Sequence, residues 1–193
     1  MKRKNKILNL VECALAVAIA IALELIPFPN IWAYGGAVSL CMIPIVFCSY
    51  RNGALWGMGA GFVLACVQMM IEPSFPPAKN IGAVILCILL DYFIAFTALG
   101  SADFFAKLCG KYKSVGYAFG AVCAGALRFV CSFISGIVLW GSYTPEGMKV
   151  WVYSLLYNGG YMLPNTIIAA IVLTAFCTCI DPKTLKHVKR NKV

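Results

Sequence analysis

The sequence predicts an all-α integral membrane protein with six transmembrane helices and both termini on the cytoplasmic side. Of its 193 residues, 62% are hydrophobic and only 12% are charged, whereas about a quarter of the residues of a soluble domain are charged. The apolar residues form six runs, and the basic residues collect on one side of those runs. We therefore expect one membrane domain that extends over residues 1–193.

Each of the six runs, apart from the second, is long enough to cross a bilayer, which takes about 20 apolar residues in a helix. The first run follows a basic start, as in a signal peptide, but it is longer than the apolar core of such a peptide. We expect it to be a retained helix. The predicted spans are residues 7–26, 36–50, 53–71, 81–99, 115–140 and 161–180.

The positions of Lys and Arg set the predicted orientation. Thirteen of the sixteen basic residues precede the first span, follow the last span, or lie in the second and fourth connections. Lys79 and Lys149 lie on the opposite side, and Arg128 lies inside the fifth span. Cytoplasmic loops are enriched in basic residues, so both termini are expected in the cytoplasm. Because topology explains the net charge of +9, that charge does not indicate nucleic-acid binding.

The residue types that carry metal, redox or hydrolytic chemistry are not arranged for it. Nine of the ten cysteines lie in apolar runs, where a thiol packs as a small hydrophobic group, and Cys109 is the tenth. The single histidine, His187, lies in the C-terminal tail. We expect no metal site and no cofactor. The sequence has no P-loop and no hydrolase motif, so a solute carried by this chain would need energy from another protein.

Three ionisable residues lie at predicted membrane depth, where charged side chains are costly and are functional candidates. Asp91 lies in the fourth span, Arg128 in the fifth, and Glu24 near the outer end of the first. Two interpretations are open for the first two residues. They form a buried ion pair that holds two helices in register, or Asp91 faces a polar ligand cavity.

Aromatic residues favour the cavity, because they are concentrated on the predicted outer side beyond what an interfacial belt explains. Aromatic faces around one carboxylate suit a flat organic cation. Asn158-Gly159-Gly160 ahead of Pro164 predicts a broken sixth helix of the kind that lines a cavity. The outer aromatic residues are Trp32, Tyr34, Trp140, Tyr143, Trp151, Tyr153, Tyr157 and Tyr161.

Small residues repeat along the first predicted helix. Ala14, Ala18 and Ala22 are four residues apart, with Ala16 and Ala20 as a second row beside them. Small residues at this spacing let another helix approach closely. If the first row contacts nothing within the fold, it indicates a partner protein.

Taken together, the motifs resemble the thiamine-specific S components, the substrate-binding membrane subunits of energy-coupling factor transporters. The resemblance covers nearly the whole chain. The segments on which the resemblance rests are Leu25-Ile26-Pro27, Ile43-Pro44-Ile45, Leu90-Asp91-Tyr92, Arg128-Phe129, Ser135-Gly136, Trp140, Tyr153-Ser154-Leu155 and Tyr157-Asn158-Gly159.

The resemblance implies six helices, an outward-facing thiamine pocket, and coupling to a transmembrane subunit and two ATPases in the cell membrane. It places the acidic residue that contacts the aminopyrimidine at Asp91, and the alanine row Ala14, Ala18 and Ala22 at the docking face for the coupling subunit. The other ligand-binding residues that it implies are Tyr92, Trp140, Tyr153, Asn158 and, in the first outer loop, Trp32 or Tyr34.

Two positions depart from the family pattern. Asp91 stands where glutamate is usual, and Ser132 stands where a histidine stacks on the ligand. Either Tyr157 or Tyr161 replaces that ring, or the ligand is a relative of thiamine. Arg128 either holds Asp91 or contacts a phosphate of the ligand.

The leading hypothesis is a high-affinity thiamine-binding subunit of an energy-coupling factor importer, which is not itself an enzyme. Within transport, the alternative is an S component for another vitamin or for a precursor such as a hydroxymethylpyrimidine. Two other classes are a small membrane enzyme acting on lipid, with Asp91, Arg128 and Glu24 as its polar centre, and a membrane chaperone or scaffold that uses its rows of small residues.

Overall fold

A computed structural model of the chain describes residues 2–26, 38–77, 80–110 and 113–188, with side chains from residue 6 onward. The described residues form helices and the turns and loops that connect them, and their β-structure is an isolated bridge between Ile180 and His187. A 3-10 turn, Gly141–Tyr143, lies between the last two helices. The helices are α1 (Lys2–Glu24), α2 (Met42–Asn52), α3 (Ala54–Ile71), α4 (Ile81–Leu99), α5 (Ala102–Leu108), α6 (Lys113–Val138) and α7 (Val150–Cys179).

Among the described residues, five helices are long and apolar enough to cross a membrane: α1, α3, α4, α6 and α7. Helix α2 has only 11 residues and is shorter than the predicted second span. The proline ring of Pro44 excludes a helical carbonyl four residues earlier, at Leu40. The helix therefore begins at Met42, which leaves Pro44 in its first turn, where a proline is tolerated.

The predicted break in the sixth helix is wrong. Helix α7 runs without interruption over 30 residues, through Asn158-Gly159-Gly160 and Pro164, and begins well before the predicted span 161–180. Neighbouring elements hold the helix on both sides of the proline: Asn158 Nδ2 donates to the Ser132 carbonyl at 3.2 Å, and Asn165 Oδ1 accepts from the Ser39 backbone N–H at 2.9 Å. Packed transmembrane helices tolerate a proline when neighbours supply such contacts.

Helix α4 changes geometry in its middle. Residues Ile88–Ile94 form a π-helical segment, with α-helix on both sides. Segments of this kind are rare and occur frequently at functional sites. The segment contains both Asp91 and Tyr92.

Glycines allow α3 to lie directly on α4 and the end of α2. Gly57 and Gly61 are buried, and a Cβ atom at Gly57 would lie 2.5 Å from the Ser49 side chain. A Cβ atom at Gly61 would lie 2.9 Å from the Phe96 carbonyl carbon and closer still to its oxygen. Gly57 and Gly61 of α3 therefore serve packing within the chain.

Helix α1 packs on α2 and α3 through small residues, and helices α6 and α7 pair along their length. Cys13, Ala16, Val17 and Ala20 of α1 are buried. The short helix α5, which the sequence did not predict, packs on α6. This arrangement leaves a space between α4, α6 and α7 at the end of the bundle where α6 ends and α7 begins.

Candidate functional site

A cavity of about 480 Å³ lies between α4, α6 and α7. Its volume is within the range of roughly 300–1,000 Å³ that is typical of small-molecule sites. We call it the Asp91 cavity. It is lined by Ser74, Asp91, Tyr92, Arg128, Ser132, Gly136, Trp140, Tyr143, Tyr153, Ser154, Tyr157, Asn158, Tyr161 and Met162.

The carboxylate of Asp91 is held on one side only. Its Oδ2 atom accepts hydrogen bonds from Ser135 Oγ at 2.6 Å and Trp140 Nε1 at 3.1 Å, and Cys87 Sγ donates at 3.4 Å. Oδ1 has no hydrogen-bond partner within the described part of the chain. The carboxylate thus has a fixed orientation and one oxygen available to a ligand.

The structure does not form the ion pair between Asp91 and Arg128. Within the described ranges, the ion pairs are Glu12–Arg51 and Asp103–Lys107. The Arg128 guanidinium carbon lies 4.3 Å from the centroid of the Phe96 ring, and Nη1 is 3.9 Å from Cys41 Sγ. Its Nε atom is buried and has no hydrogen-bond partner among the residues that the structure describes. The cavity therefore has a carboxylate and a guanidinium on its wall, neither paired with the other.

Tyrosines form one wall of the cavity. Tyr153, Tyr157 and Tyr161 are four residues apart on α7 and so share one face of the helix, with successive ring centroids 5.9 Å apart. Trp140 and Tyr143 follow α6, and their centroids are 6.0 Å apart. This wall offers flat faces to a ring and to a cation.

Asn158 joins α7 to α6 behind the tyrosines. Its Nδ2 donates to the carbonyls of Ser132 and Ser154, at 3.2 and 3.1 Å, and its Oδ1 accepts from Tyr161 Oη at 3.2 Å. A Cβ atom at Gly136 would collide with Ser154 Oγ. Glycine at that position therefore lets the two helices approach closely enough for the Asn158 hydrogen bonds.

Tyr92 anchors the connection between α3 and α4. Its hydroxyl accepts from the Ser74 backbone N–H at 2.7 Å and donates to the Glu72 carbonyl at 3.0 Å. Ser74 also lines the cavity. Tyr92 is therefore part of the cavity wall and also holds the loop that carries Ser74.

The structure brings together seven of the residues that the sequence predicted as a ligand site: Asp91, Tyr92, Arg128, Ser132, Trp140, Tyr153 and Asn158. Trp32 and Tyr34 lie outside the described residues. Trp151 is half exposed and is not part of the cavity wall.

Several site residues were missed by the sequence reasoning. Ser135 holds Asp91, and Ser74, Gly136, Ser154 and Met162 line the cavity. A signal for Gly136 was present, because Arg128, Ser132 and Gly136 are four residues apart and so share one face of α6, and Trp140 continues that spacing just beyond the helix. No local pattern marks Ser74, which reaches the site through its loop.

The two small-residue rows of α1 have opposite surroundings. Ala16 and Ala20 are buried, at 8% and 0% exposure. Ala14, Ala18 and Ala22 are exposed, and no other part of the described chain covers them.

A model of the family described as thiamine transporter protein (Thia_YuaJ) matches residues 10–185. The match includes the described residues of the Asp91 cavity and most of α1. The chain belongs to the thiamine transporter protein family.

Curated relatives in the thiamine transporter protein family agree over nearly the whole chain. Thiamine transporter ThiT of Bacillus subtilis (strain 168) is 36% identical, over 98% of this chain and 100% of the relative. Thiamine transporter ThiT of Lacticaseibacillus paracasei is 32% identical, over 92% of this chain and 90% of the relative. Members of this family are named as transporters, which is a transport role rather than an enzymatic one, and the chain is a multi-pass protein of the cell membrane.

A solved structure has the same fold. ThiT from Listeria monocytogenes aligns with a TM-score of 0.74 over 89% of this chain and 94% of that chain, at 20% sequence identity. At that identity the likeness concerns the fold, and it shows that the arrangement of α1–α7 is a known membrane architecture.

Proposed function

We propose that this chain is the high-affinity thiamine-binding membrane subunit of an energy-coupling factor importer. The observation that carries the proposal is the carboxylate of Asp91, which has one oxygen fixed by Ser135 and Trp140 and the other available in a cavity walled by aromatic rings. Its membership of a family of thiamine transporters supports the choice of ligand.

The chemistry of the cavity suits the two halves of thiamine. The free Oδ1 of Asp91 accepts a hydrogen bond from the amino group of the pyrimidine, and a charge-assisted bond of this kind is stronger than a neutral one. Trp140, Tyr153 and Tyr157 offer ring faces to the pyrimidine and to the cationic thiazolium, which gains cation–π attraction. Asn158 holds the two walls at the spacing that admits a flat ligand.

In our proposal, neighbouring residues accommodate the two departures from the family pattern. Ser135 donates to the shorter Asp91 side chain at 2.6 Å and fixes its carboxylate. Ser132 and Tyr161 both line the cavity, and the Tyr161 hydroxyl donates to Asn158 Oδ1 at 3.2 Å. In our proposal Tyr161 supplies the aromatic contact on this side, and Arg128 contacts the polar end of the ligand.

The proposal includes a topology of six membrane crossings, with both termini in the cytoplasm, in a single domain over residues 1–193. In this topology, the sixth crossing consists of helix α2 (Met42–Asn52) together with the residues that precede it. The basic residues support this orientation, because Arg51 and Lys107 lie at the end of the bundle opposite to the cavity. The cavity then faces the outside, where a substrate for import is captured.

The energy is proposed to come from a transmembrane coupling subunit and two ATPases. Ala14, Ala18 and Ala22 form an exposed strip of small residues on α1, which lets a partner helix approach closely. This strip is the proposed docking face for the coupling subunit.

A calorimetric titration of the purified protein tests the ligand. Thiamine is expected to bind at one site per chain. A hydroxymethylpyrimidine is expected to compete only weakly, because it lacks the thiazolium that faces the tyrosines. If the hydroxymethylpyrimidine binds more tightly than thiamine, the chain is an S component for the precursor instead. If neither compound binds, the proposed function is overturned.

A further inference from the structure

Arg51 joins three separate segments of the chain. Its Nε donates to Glu12 Oε2 at 2.7 Å, its Nη2 to Glu12 Oε1 at 2.5 Å, and its Nη1 to the Pro182 carbonyl at 2.8 Å. Glu12 belongs to α1, Arg51 to the last turn of α2, and Pro182 follows α7. We call this set of contacts the α1 clamp.

The α1 clamp lies far from the Asp91 cavity. Arg51 precedes α3 and Ser74, in the cavity wall, follows it, so the 18 residues of α3 separate them, about 27 Å at the helical rise. The Arg51 and Glu12 side chains are only 17% and 19% exposed, so water screens their attraction less than that of a surface pair. The clamp therefore joins the middle of α1 to α2 and to Pro182 after α7, and it is not part of the wall of the Asp91 cavity.

The face that helix α1 buries consists of small side chains, Cys13, Ala16, Val17 and Ala20, which let α2 and α3 approach it closely. The sulfur contacts of Cys13, at 3.2 Å to Cys48 Sγ and 3.6 Å to the Trp56 carbonyl, are weak as hydrogen bonds. A bidentate carboxylate–guanidinium pair, in contrast, has a fixed planar geometry.

The exposed alanine strip lies on the same helix. A rotation or a shift of α1 along α2 and α3 would move Ala14 and Ala18 relative to the rest of the bundle, because a helix moves as a rigid body. Buried ion pairs are best attested as devices that set the register of helices.

We infer that the α1 clamp sets the register of the alanine strip for docking, so that Glu12 and Arg51 are positioning residues for energy coupling and not for ligand binding. This inference rests on the proposed function, since it assumes a coupling subunit that docks on α1.

The test uses two readouts on the same variants: thiamine affinity of the purified subunit, and thiamine uptake by proteoliposomes that contain the subunit with its coupling subunit and two ATPases. Glu12→Gln and Arg51→Gln each remove one side of the pair. Arg51→Lys retains the charge but not the bidentate geometry, and it serves if the glutamine variants fail to fold. Lys107→Gln is the matched control, since it breaks the Asp103–Lys107 pair at 2.5 Å, which lies on α5 and does not touch α1.

The expected result separates the two readouts. Thiamine affinity stays at the wild-type value in all variants, while the maximal uptake rate of the three clamp variants falls by a factor of about 5–150, the usual range of coupling between sites. The Glu12→Gln/Arg51→Gln double variant is expected to be no worse than either single variant, because the two residues act as one pair. Lys107→Gln is expected to transport normally.

Two results would overturn the inference. One is wild-type uptake by the clamp variants. The other is a loss of thiamine affinity that matches the loss of uptake, which would show that the pair merely stabilises the fold. If wild-type protein binds no thiamine, the proposed function fails, and this outcome is distinct from both.

Discussion

At the scale of single residues, the proposed function depends on how the carboxylate of Asp91 is held. Asp91 lies in the π-helical segment of α4, and Ser135, Trp140 and Cys87 all donate to the same oxygen. An acidic side chain at membrane depth is costly unless its acceptors are satisfied. One oxygen is therefore satisfied by the protein, and in our proposal the second is satisfied by the ligand.

Asp91→Asn tests that division. The variant is expected to fold, because an amide oxygen still accepts from Ser135 and Trp140, and to lose about 1.5–3 kcal/mol of thiamine-binding free energy, the usual worth of a hydrogen bond to a charged group. Calorimetric titration measures the loss, and the thermal unfolding midpoint reports the fold. Asp103→Asn, at a buried carboxylate outside the cavity, is the control. If Asp91→Asn binds thiamine as tightly as the wild type does, Asp91 is not part of the thiamine site.

Ser135→Ala tests the fixed orientation of the carboxylate. The serine hydroxyl donates to Asp91 at 2.6 Å and does not line the cavity. Its removal is expected to reduce thiamine affinity by about 0.5–1.5 kcal/mol, because the Asp91 carboxylate loses one of the three donors that fix its orientation. Ser101→Ala, whose hydroxyl bonds only to its own turn at Ala98, should bind thiamine as the wild type does. Equal affinities of both variants would show that Ser135 does not position Asp91.

Sequence reasoning identified Asp91 as a membrane-depth charge, but it left open whether Arg128 was its partner. The answer depended on rotamers: Arg128 lies over Phe96, and Asp91 turns toward Ser135. A hydropathy pattern carries no information on such side-chain directions. Ser135 was noted only as part of the Ser135-Gly136 motif, and its hydrogen bond to Asp91 could not be predicted because serines are common in transmembrane helices.

At the scale of helices, the small residues of α3 set how closely α4 approaches. Gly61 faces the Phe96 carbonyl, whereas an added Cβ atom at Gly59 on the same helix would meet nothing within 4 Å. The two positions have the same intrinsic helix propensity and differ in what they face.

Gly61→Ala and Gly59→Ala therefore form a matched pair. Gly61→Ala is expected to lower the free energy of unfolding by about 1–3 kcal/mol, because the added methyl group forces backbones apart. Gly59→Ala is expected to be neutral or to stabilise by up to about 1 kcal/mol, because alanine is the better helix former. Thermal unfolding in detergent measures both. Equal midpoints would contradict the close approach of α3 and α4.

The sequence predicted four of the membrane spans well and one poorly. Apolar length sufficed for α1, α3, α4 and α6, because each run is bounded by prolines, glycines or charges. It failed at α7, where Pro164 and the preceding glycines suggested a break. The hydrogen bonds of Asn158 and Asn165 to other segments keep the helix continuous, and contacts of that kind cannot be read from local sequence. The π-helical segment of α4 was likewise invisible, since its sequence is ordinary for an apolar helix.

At the scale of the whole molecule, the Asp91 cavity and the α1 clamp lie at different levels of the bundle. The cavity lies where α6 ends and α7 begins, and the clamp joins the middle of α1 to the end of α2 and to Pro182 after α7. The alanine strip runs along α1 from Ala14 to Ala22. In our proposal, ligand capture and energy coupling therefore depend on different residues and can be altered separately by substitution.

Ala18→Trp tests that separation. A tryptophan in the middle of the strip is expected to abolish ATP-driven thiamine uptake, because a partner helix can no longer approach closely, while thiamine affinity of the purified subunit is unchanged. Ala126→Trp, at an exposed alanine of α6, is the matched control and should transport normally. Uptake by Ala18→Trp at the wild-type rate would exclude the strip as the docking face.

Tryptophan fluorescence of the purified protein tests whether thiamine binds in the Asp91 cavity. Trp140 lines the cavity, whereas Trp151 is exposed outside it. We expect thiamine to quench the fluorescence saturably at one ligand per chain, and most of this quenching to be lost in Trp140→Phe. A wild-type protein that shows no saturable quenching, or a Trp140→Phe variant that is quenched as strongly as the wild type, would exclude thiamine binding in this cavity.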